Sequence, residues 1–266
     1  MKSRIRWCHP ETPATAVTVV AHGLNLHPER MTPLAQSLRE MGSEVAQLSL
    51  SGHETSEADL FGKVTRKVWL KDTREVFETA QELARKKRVP LFFLGYSIGA
   101  AYAQDLLNSG REGEFKVERQ VLMAPAVALR SYSRLVRLFR VFGPEFRVPS
   151  LSYGSYHSHR HTPVAAYDAI FETIEALESS RMRLSNIPTL VIIDPKDELI
   201  SPSGIQKKMK DFSLSEWKVL NIHAAGSLPI TYHHLIVDEF SAGTRTWNQI
   251  NRAIRSHLFQ PPLDAR

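Results

Sequence analysis

Short apolar runs alternate with longer amphipathic stretches along most of the chain. The apolar runs are bounded by Gly, Pro or Ser, which is typical of strands buried on both faces. The stretches between them have the length and spacing of crossover helices, so the pattern predicts an α/β fold with a mostly parallel sheet flanked by helices. Residues 1–15 leave room for at most one irregular edge strand. The predicted strands are 17–21, 44–48, 91–94, 119–123, 189–193 and 217–222, and the predicted helices are 33–41, 67–87, 98–107, 163–179, 203–211 and 241–258.

The alternation stops for two crossover lengths near the middle of the chain. We interpret this region as an insertion, and divide the chain into a core of residues 1–129 and 181–266 and a helical cap of residues 130–180. Inside the insertion, residues 134–142 have helical spacing and precede Gly143-Pro144, which predicts the end of a helix. That spacing places Arg134, Arg137 and Arg140 on one side of the helix and Leu135, Leu138, Phe139 and Phe142 on the other.

Composition places the chain among ordinary folded proteins, because 42% of its 266 residues are apolar and 23% are charged. Its single cysteine, Cys8, cannot form an internal disulfide, so we expect a fold independent of an oxidising compartment and a cytoplasmic location. No secretory signal is recognisable near the first residue, and no apolar run reaches the length of a transmembrane helix. We therefore expect a soluble or peripheral protein.

The most informative segment is residues 91–101, in which a predicted strand leads through Gly-x-Ser-x-Gly into a helix that opens with small residues. A serine on such a sharp turn needs an unusual backbone conformation, and Gly95 and Gly99 remove side chains that would clash with the strand and the helix. The hydroxyl of Ser97 is then exposed above the sheet as a nucleophile, and the N–H of Ile98 is free to stabilise an oxyanion. The alternative is a glycine-containing turn with an incidental serine.

This segment resembles the serine hydrolases of the α/β-hydrolase fold, and the likeness extends over about residues 17–258. Ala21-His22-Gly23-Leu24 is similar to the His-Gly oxyanion turn of that family, and Gly52-His53-Glu54-Thr55-Ser56 is similar to its Gly-His-x-x-Ser loop. The resemblance implies that the N–H of Leu24 is the second oxyanion donor. We interpret His22 as a structural residue that supports this turn, and a direct catalytic role is the alternative.

An attacking serine needs a base and an acid that orients the base, and the family orders them serine, acid, histidine. Residues 188–202 resemble its strand followed by Gly-x-x-Asp-x-x-Val-x-Pro, which makes Asp197 the acid. Asp194 stands where the family usually has glycine and is a rival for that role. Glu198 is interpreted as a solvated neighbour. A loop carboxylate that caps the following helix is a further alternative.

The base is ambiguous because two histidines are adjacent. In related esterases and monoacylglycerol lipases the base precedes two aliphatic residues and stands five positions before an acidic one. His234 fits this pattern through Leu235-Ile236 and Glu239, whereas His233 is followed directly by a histidine. We therefore predict His234 as the base and keep His233 as the alternative.

The resemblance implies a serine esterase or lipase-like enzyme that needs no cofactor and no metal. We expect a small-molecule ester substrate with an apolar acyl part, of short or medium length or monoglyceride-like. A thioesterase or C–C bond hydrolase would use the same three residues. The alternative from another class is a catalytically silent protein whose cap pocket binds a small molecule. The oligomeric state is left open.

Residues 128–162, in the first part of the predicted insertion, carry six arginines against Glu145, a net charge of +5 compared with +6 for the whole chain. A weak contact between the cap and an anionic membrane surface is one expectation, and a solvated arginine face is the alternative. We expect no nucleic-acid partner, because no binding motif accompanies the charge. The alternating His157, His159 and His161 lack a nearby cysteine or carboxylate, so they predict a surface loop in preference to a metal site. The six arginines are Arg130, Arg134, Arg137, Arg140, Arg147 and Arg160.

Overall fold

The computed structural model describes residues 4–150, 153–229 and 231–260, and the side chain of Arg134 lies outside this description. The strands are β1 (Ile5–Cys8), β2 (Ala16–Ala21), β3 (Ser43–Leu48), β4 (Leu91–Tyr96), β5 (Val117–Met123), β6 (Arg147–Pro149), β7 (His161–Pro163), β8 (Thr189–Ile193) and β9 (Trp217–Asn221). The α-helices are α1 (Thr32–Glu40), α2 (Ala58–Phe61), α3 (Arg66–Lys87), α4 (Ile98–Ser109), α5 (Val164–Ser180), α6 (Pro202–Asp211), α7 (Glu239–Ala242) and α8 (Thr244–Phe259). Short 3₁₀ helices span Pro28–Met31, Thr55–Glu57 and Arg183–Ser185, and a longer one spans Ser131–Phe142.

One central sheet carries seven of the described strands, in the order β1-β3-β2-β4-β5-β8-β9. Every neighbouring pair is parallel except β1 with β3, where Ile5 lies opposite Leu48 in an antiparallel register. All six predicted strands are present within two residues of their predicted ends, and the predicted fold class is confirmed. The N-terminal edge strand is the short β1.

Burial of both sheet faces explains why the strands form as they do. Every residue of β2 and β4 is buried, so apolar and β-branched side chains are needed on both sides of these strands. Helix α3 covers one face, with the Phe77 ring 5.5 Å from that of Phe93. Helix α4 begins with small residues, and Ala100, Ala101 and Ala103 are all buried, which lets its backbone approach the sheet closely.

The predicted C-terminal helix is divided in two. Gly243 has φ of 86° and separates α7 from α8, so the prediction of one continuous helix over residues 241–258 is wrong. A Cβ at this glycine would lie 2.5 Å from the carbonyl oxygen of Ala225. The close approach of the preceding loop therefore requires glycine and forces the break.

The residues between β5 and β8 leave the sheet, and we call residues 130–180 the cap segment. Its first helix is a 3₁₀ helix instead of the predicted α-helix. Three residues per turn place positions i and i+3 on one side, and Arg137 and Arg140 share the side that faces α5. Arg137 contacts Glu175, and Arg140 Nε lies 2.6 Å from Asp168 Oδ1.

The apolar residues of that 3₁₀ helix face outward. Leu138 is 69% exposed and Val141 is 82% exposed. On α5, by contrast, Ile170, Phe171 and Ile174 are buried and seat the helix on the core. We define the apolar cap face as Leu135, Leu138, Phe139, Val141, Phe142 and Phe146, all of them exposed.

The rest of the cap segment is tied to the core by buried polar groups. Strands β6 and β7 form a two-stranded antiparallel ribbon. The side-chain amide of Asn25 donates to Ser150 Oγ and to the carbonyl oxygen of His159, both at 2.6 Å. The Tyr156 hydroxyl donates to the carboxylate of Asp238 at 2.9 Å. Within the described ranges, no helix is long and apolar enough to span a bilayer.

Candidate active site

Ser97 lies at the sharp turn between β4 and α4, in a backbone conformation that few residues other than glycine adopt. Its φ is 52° and its ψ is −118°, and its N–H donates to the carbonyl of Met123 at 2.9 Å. A Cβ on Gly95 would lie 2.7 Å from Ala100 Cα, and one on Gly99 would lie 2.5 Å from the carbonyl oxygen of His22. Both glycines are therefore required for the packing of this turn, as the sequence predicts.

The structure brings the predicted serine, histidine and aspartate together. His234 Nε2 lies 3.0 Å from Ser97 Oγ, and His234 Nδ1 lies 2.8 Å from Asp197 Oδ2. Asp197 is fully buried, and Ser97 and His234 are 5% and 4% exposed. The three side chains form one continuous line of hydrogen bonds.

Hydrogen bonding fixes the proton positions along this line. A carboxylate oxygen accepts, so Nδ1 of His234 carries the proton and donates it to Asp197. Nε2 is then free to accept from the Ser97 hydroxyl. The other oxygen of Asp197 accepts from the N–H groups of Leu199 and Ile200, at 2.8 and 2.7 Å, which holds the carboxylate in place. This arrangement suits proton removal from the serine.

The predicted oxyanion donors, the N–H groups of Leu24 and Ile98, are available for a ligand. Ile98 is the first residue of α4, and the first N–H groups of a helix have no intrahelical acceptor. Neither N–H has a hydrogen-bond partner within the described parts of the chain. Leu24 and Ser97 line the same cavity.

Two buried histidines hold the turn that carries Leu24. His22 Nδ1–H donates to the carbonyl of Gly23 at 2.8 Å, and its Nε2 accepts from the N–H of Leu50 at 3.0 Å. Burial lowers the pKa of His22 to about 4. His53 Nε2 accepts from the N–H of Asn25 at 3.0 Å, and burial lowers its pKa well below the usual value. Both side chains are thus neutral supports for the turn, the role expected for His22.

The two rivals for the acid and base are paired with each other. His233 Nδ1 lies 3.0 Å from Asp194 Oδ2, which also accepts from the N–H of Ala224 at 2.7 Å. Asp194 Oδ1 accepts from the N–H of Lys196 at 2.8 Å. Among the described residues, no hydrogen bond joins either member of this pair to Ser97. The structure therefore places His234, and not His233, beside the serine.

Sequence reasoning missed Glu198 as part of the site. Its carboxylate accepts from the N–H of His233 at 3.0 Å and from the N–H of His234 at 2.9 Å, so it is not a solvated neighbour. Tyr96 was missed as well, and its hydroxyl donates to the carbonyl of His234 at 3.0 Å. In the sequence, only the position of Glu198 next to Asp197 pointed to the site. The contacts that Glu198 and Tyr96 make with the histidines join residues far apart in sequence, so the sequence did not show them.

A small cavity of about 100 Å³ opens at Ser97 and His234. Its apolar wall includes Leu26, Leu199 and Leu235, and its hydroxyl groups come from Ser150, Thr162, Tyr167 and Tyr232. Burial raises the pKa of both Tyr167 and Tyr232, so their hydroxyls remain protonated. The cavity can therefore hold a small apolar group and offer it hydrogen bonds at one side.

The cap histidines do not converge on a metal site. His159 Nε2 lies 2.8 Å from the carbonyl oxygen of Gly52, a contact that joins the cap segment to the core. In the described part of the chain, no group of three His, Cys, Asp or Glu side chains could hold a metal ion.

The parallel sheet, the glycine-flanked serine turn and the Ser-His-Asp line define the α/β-hydrolase class of serine hydrolases. The chain belongs to the family described as Serine aminopeptidase, S33, whose model matches residues 12–169. This membership confirms the prediction of a serine hydrolase enzyme of the α/β-hydrolase fold. No curated protein matches the chain in sequence.

Solved structures of lipases and esterases share the fold. A soluble variant of monoglyceride lipase from Saccharomyces cerevisiae, in complex with a substrate analog, has a TM-score of 0.74 at 13% identity over 95% of this chain and 89% of that one. The monoacylglycerol lipase of Paleococcus ferrophilus has a TM-score of 0.70 at 17% identity, with coverages of 94% and 96%. A carboxyl esterase from Bacillus coagulans, in complex with glycerol, has a TM-score of 0.71 at 14% identity, with coverages of 94% and 91%.

Proposed function

We propose that this protein hydrolyses carboxylic esters of small molecules through an acyl-enzyme intermediate. Ser97 is the nucleophile, His234 the base, Asp197 the residue that orients the base, and the N–H groups of Leu24 and Ile98 bind the oxyanion. The observation that carries the proposal is the continuous hydrogen-bond line from Ser97 through His234 to the buried Asp197, at 3.0 and 2.8 Å.

The reaction follows from this geometry. Ser97 Oγ attacks the carbonyl carbon and gives its proton to His234 Nε2, and the negative charge on the carbonyl oxygen is stabilised by the two free N–H groups. The bond to the alcohol oxygen then breaks, and His234 returns the proton to the departing alcohol. A water molecule repeats the sequence on the acyl-enzyme and releases the acid and the free serine. Each step uses only groups of this chain and water.

The cavity favours a short acyl group. Its volume of about 100 Å³ is smaller than the cavity of about 150 Å³ that can hold a benzene ring in an engineered protein core. An aminopeptidase needs a group to bind the substrate's amino terminus, and the described residues that line the cavity include no carboxylate. These two features support a short-chain ester over a peptide as substrate.

A substrate panel tests the proposal. p-Nitrophenyl esters of graded chain length, acyl-thioesters and aminoacyl p-nitroanilides should be compared with wild type and with Ser97→Ala. We expect the highest kcat/KM on the shortest esters and no turnover by Ser97→Ala. A fluorophosphonate probe should label the wild type and fail to label Ser97→Ala. Faster turnover of thioesters or anilides would show that the substrate is a thioester or an amide and not an ester. No labelling of the wild type would favour a catalytically silent ligand-binding protein.

We propose that the apolar cap face contacts a membrane surface weakly. It exposes large apolar side chains, and Arg147 and Arg160 in the same segment are exposed and form no ion pair within the described residues. Arg137 and Arg140 are paired with acidic residues of α5, so apolar contact and the unpaired arginines carry the interaction. The free thiol of Cys8 supports a cytoplasmic location, where the facing lipids are anionic.

Vesicle sedimentation tests this contact. Leu138→Ser with Val141→Ser should weaken binding to anionic vesicles, and Arg147→Gln with Arg160→Gln should reduce the part of the binding that salt removes. Arg137→Gln is the matched control, because its charge is already paired and its loss should change vesicle binding little. Turnover of a soluble short ester should stay near wild type in the first two double variants. Equal vesicle binding by wild type and both double variants would contradict the proposal.

A further inference from the structure

The segment that carries the candidate base has no regular structure of its own. Residues 222–238, which we call the histidine loop, run from the end of β9 to α7 with no helix or strand among the described residues. A base must be held within about half an ångström of its working position to be effective. The contacts that hold this loop therefore determine whether the proposed base is in position to act.

Three carboxylates within five residues provide five hydrogen bonds to this loop. Residues 194–198, which we call the carboxylate loop, directly follow β8. Asp194 accepts from the N–H of Ala224 and from the His233 ring, Asp197 accepts from the His234 ring, and Glu198 accepts from two consecutive backbone N–H groups. Charged groups of the neighbouring loop thus hold both histidines of the histidine loop in place.

Glu198 differs from the other two carboxylates in what it binds. Its Oε1 accepts from the N–H of His233 and its Oε2 from the N–H of His234, so one side chain fixes the peptide planes on both sides of the His233 Cα. On the opposite side, the Tyr96 hydroxyl donates to the carbonyl of His234 at 3.0 Å. The backbone of the base is therefore held at its N–H by a carboxylate and at its carbonyl by a phenol.

The carboxylate loop is itself held from the cap segment. Arg130 Nε donates to the carbonyl of Asp197 at 2.6 Å, and the N–H of Arg130 donates to the carbonyl of Leu199 at 2.8 Å. The Tyr132 hydroxyl donates to the carbonyl of Glu198. These hydrogen bonds fix the backbone of residues 197–199, so the Glu198 carboxylate is held in one position.

We propose that Glu198 is a positioning residue for this enzyme, because it sets the place of the His234 imidazole through the two backbone N–H groups at its Oε1 and Oε2. The proposal rests on the proposed function, in which His234 is the base. Gln at position 198 has one accepting oxygen and would turn its NH₂ group toward a backbone N–H, so it cannot replace the carboxylate. Asp is one methylene shorter and cannot span both N–H groups from the same backbone position.

Steady-state kinetics test the proposal. Glu198→Gln should lower kcat about 10- to 100-fold on a short p-nitrophenyl ester and change KM less than about threefold, because an error of about an ångström in a catalytic group costs that much. Glu198→Asp should fall between wild type and Glu198→Gln. Glu216→Gln is the matched control, since this exposed glutamate makes no side-chain bond among the described residues, and it should behave as wild type.

Two measurements keep the test independent of the ester and of stability. The rate of fluorophosphonate labelling of Ser97 should fall in parallel with kcat, and the low-field proton resonance of the His234 Nδ1–H, identified by its loss in His234→Ala, should shift or broaden in Glu198→Gln. If wild type is not labelled, the proposed function fails. If wild type is labelled and Glu198→Gln is labelled at the same rate with an unchanged resonance, the positioning role fails. A loss of kcat that merely follows a lowered melting temperature in both Glu198 variants would also overturn it.

Discussion

Two histidine–aspartate pairs lie side by side beyond the ends of the strands, and only one of them is hydrogen-bonded to Ser97. The distances from ring nitrogen to carboxylate are 2.8 Å for His234–Asp197 and 3.0 Å for His233–Asp194, and both aspartates are fully buried. The pairs differ at the other ring nitrogen. Nε2 of His234 faces Ser97 Oγ, whereas Nε2 of His233 has no hydrogen-bond partner within the described parts of the chain.

This difference shows that an aspartate-oriented imidazole is not by itself a catalytic feature. Asp194 uses its buried carboxylate to join the start of the carboxylate loop to two points of the histidine loop, Ala224 and His233. The His233–Asp194 pair thus joins the two loops, and in the function we propose the chemistry belongs to the pair whose free nitrogen reaches Ser97. Mutations can separate these two roles.

The largest expected difference is between the two histidines. His234→Ala should lower kcat by a factor on the order of 10⁴ to 10⁶, because removal of the base leaves only oxyanion binding. His233→Ala should lower kcat less than about tenfold, because its ring lies outside the reacting line. Steady-state kinetics on a short p-nitrophenyl ester measures both. A dead His233→Ala with an active His234→Ala would reverse the assignment.

The two aspartates should differ in the same way as the two histidines. Asp197→Asn should lower kcat by about 10⁴, because the amide no longer accepts the Nδ1 proton and favours the wrong tautomer. Asp194→Asn should keep kcat within about tenfold of wild type. The pre-steady-state burst of p-nitrophenol separates the acylation step from the hydrolysis of the acyl-enzyme in each variant. Similar losses in the two variants would mean that the pairs act as one unit.

His22 is a buried histidine whose ring is hydrogen-bonded to backbone groups and not to a carboxylate, and we expect its mutation to change stability. Its pKa is about 4 in the folded protein and 6.5 as a free side chain, so between these values the unfolded chain binds a proton that the folded chain does not. The contribution of His22 to the free energy of unfolding is therefore fully present above pH 6.5 and is lost as the pH falls toward 4. Urea unfolding of wild type should lose roughly 2–3 kcal/mol more between pH 7 and pH 4.5 than His22→Gln does. Equal losses in both proteins would contradict this account.

The smallest effect should be the loss of stability when the His233–Asp194 pair is broken. His233→Gln should lower the free energy of unfolding by about 1–2 kcal/mol at pH 7, because Asp194 stays buried with one bond fewer. The control is His157→Gln, a half-buried cap histidine for which no hydrogen bond is found in the described residues. Urea unfolding at constant pH measures both. A destabilisation no larger than that of the control would show that the pair contributes nothing to the loop.

Sequence alone predicted the parts of the molecule in which one residue type is physically required. Gly95 and Gly99 are needed for the serine turn, and buried strands need apolar residues on both faces, so the turn and the sheet were predictable. The pairing of His233 with Asp194 was not, because the doubled histidine fits two registers until the loops are placed in space. The role of Glu198 was hidden for a related reason, since its partners are backbone N–H groups, which every residue except proline carries.

The cap segment was harder to predict, because the side of its first helix that faces the core depends on tertiary packing. At three residues per turn, arginines spaced by three share one side, and that side meets the acidic residues of α5. Periodicity of 3.6 gives the same two groups of residues but does not say which one faces the core. The acidic partners Asp168 and Glu175 stand on another helix, so their pairing depends on tertiary packing.

Asn25 determines whether this cap can be treated as an exchangeable module. It stands next to Leu24 with φ of 49°, and its side-chain amide is satisfied by Ser150, Thr162 and the backbone of His159. Grafting another cap onto the core would leave this buried amide without partners, at a cost of about 1–3 kcal/mol borne by the turn that carries Leu24, the proposed oxyanion donor. An engineered chimera should therefore place its junctions so that residues 150–162 travel with Asn25.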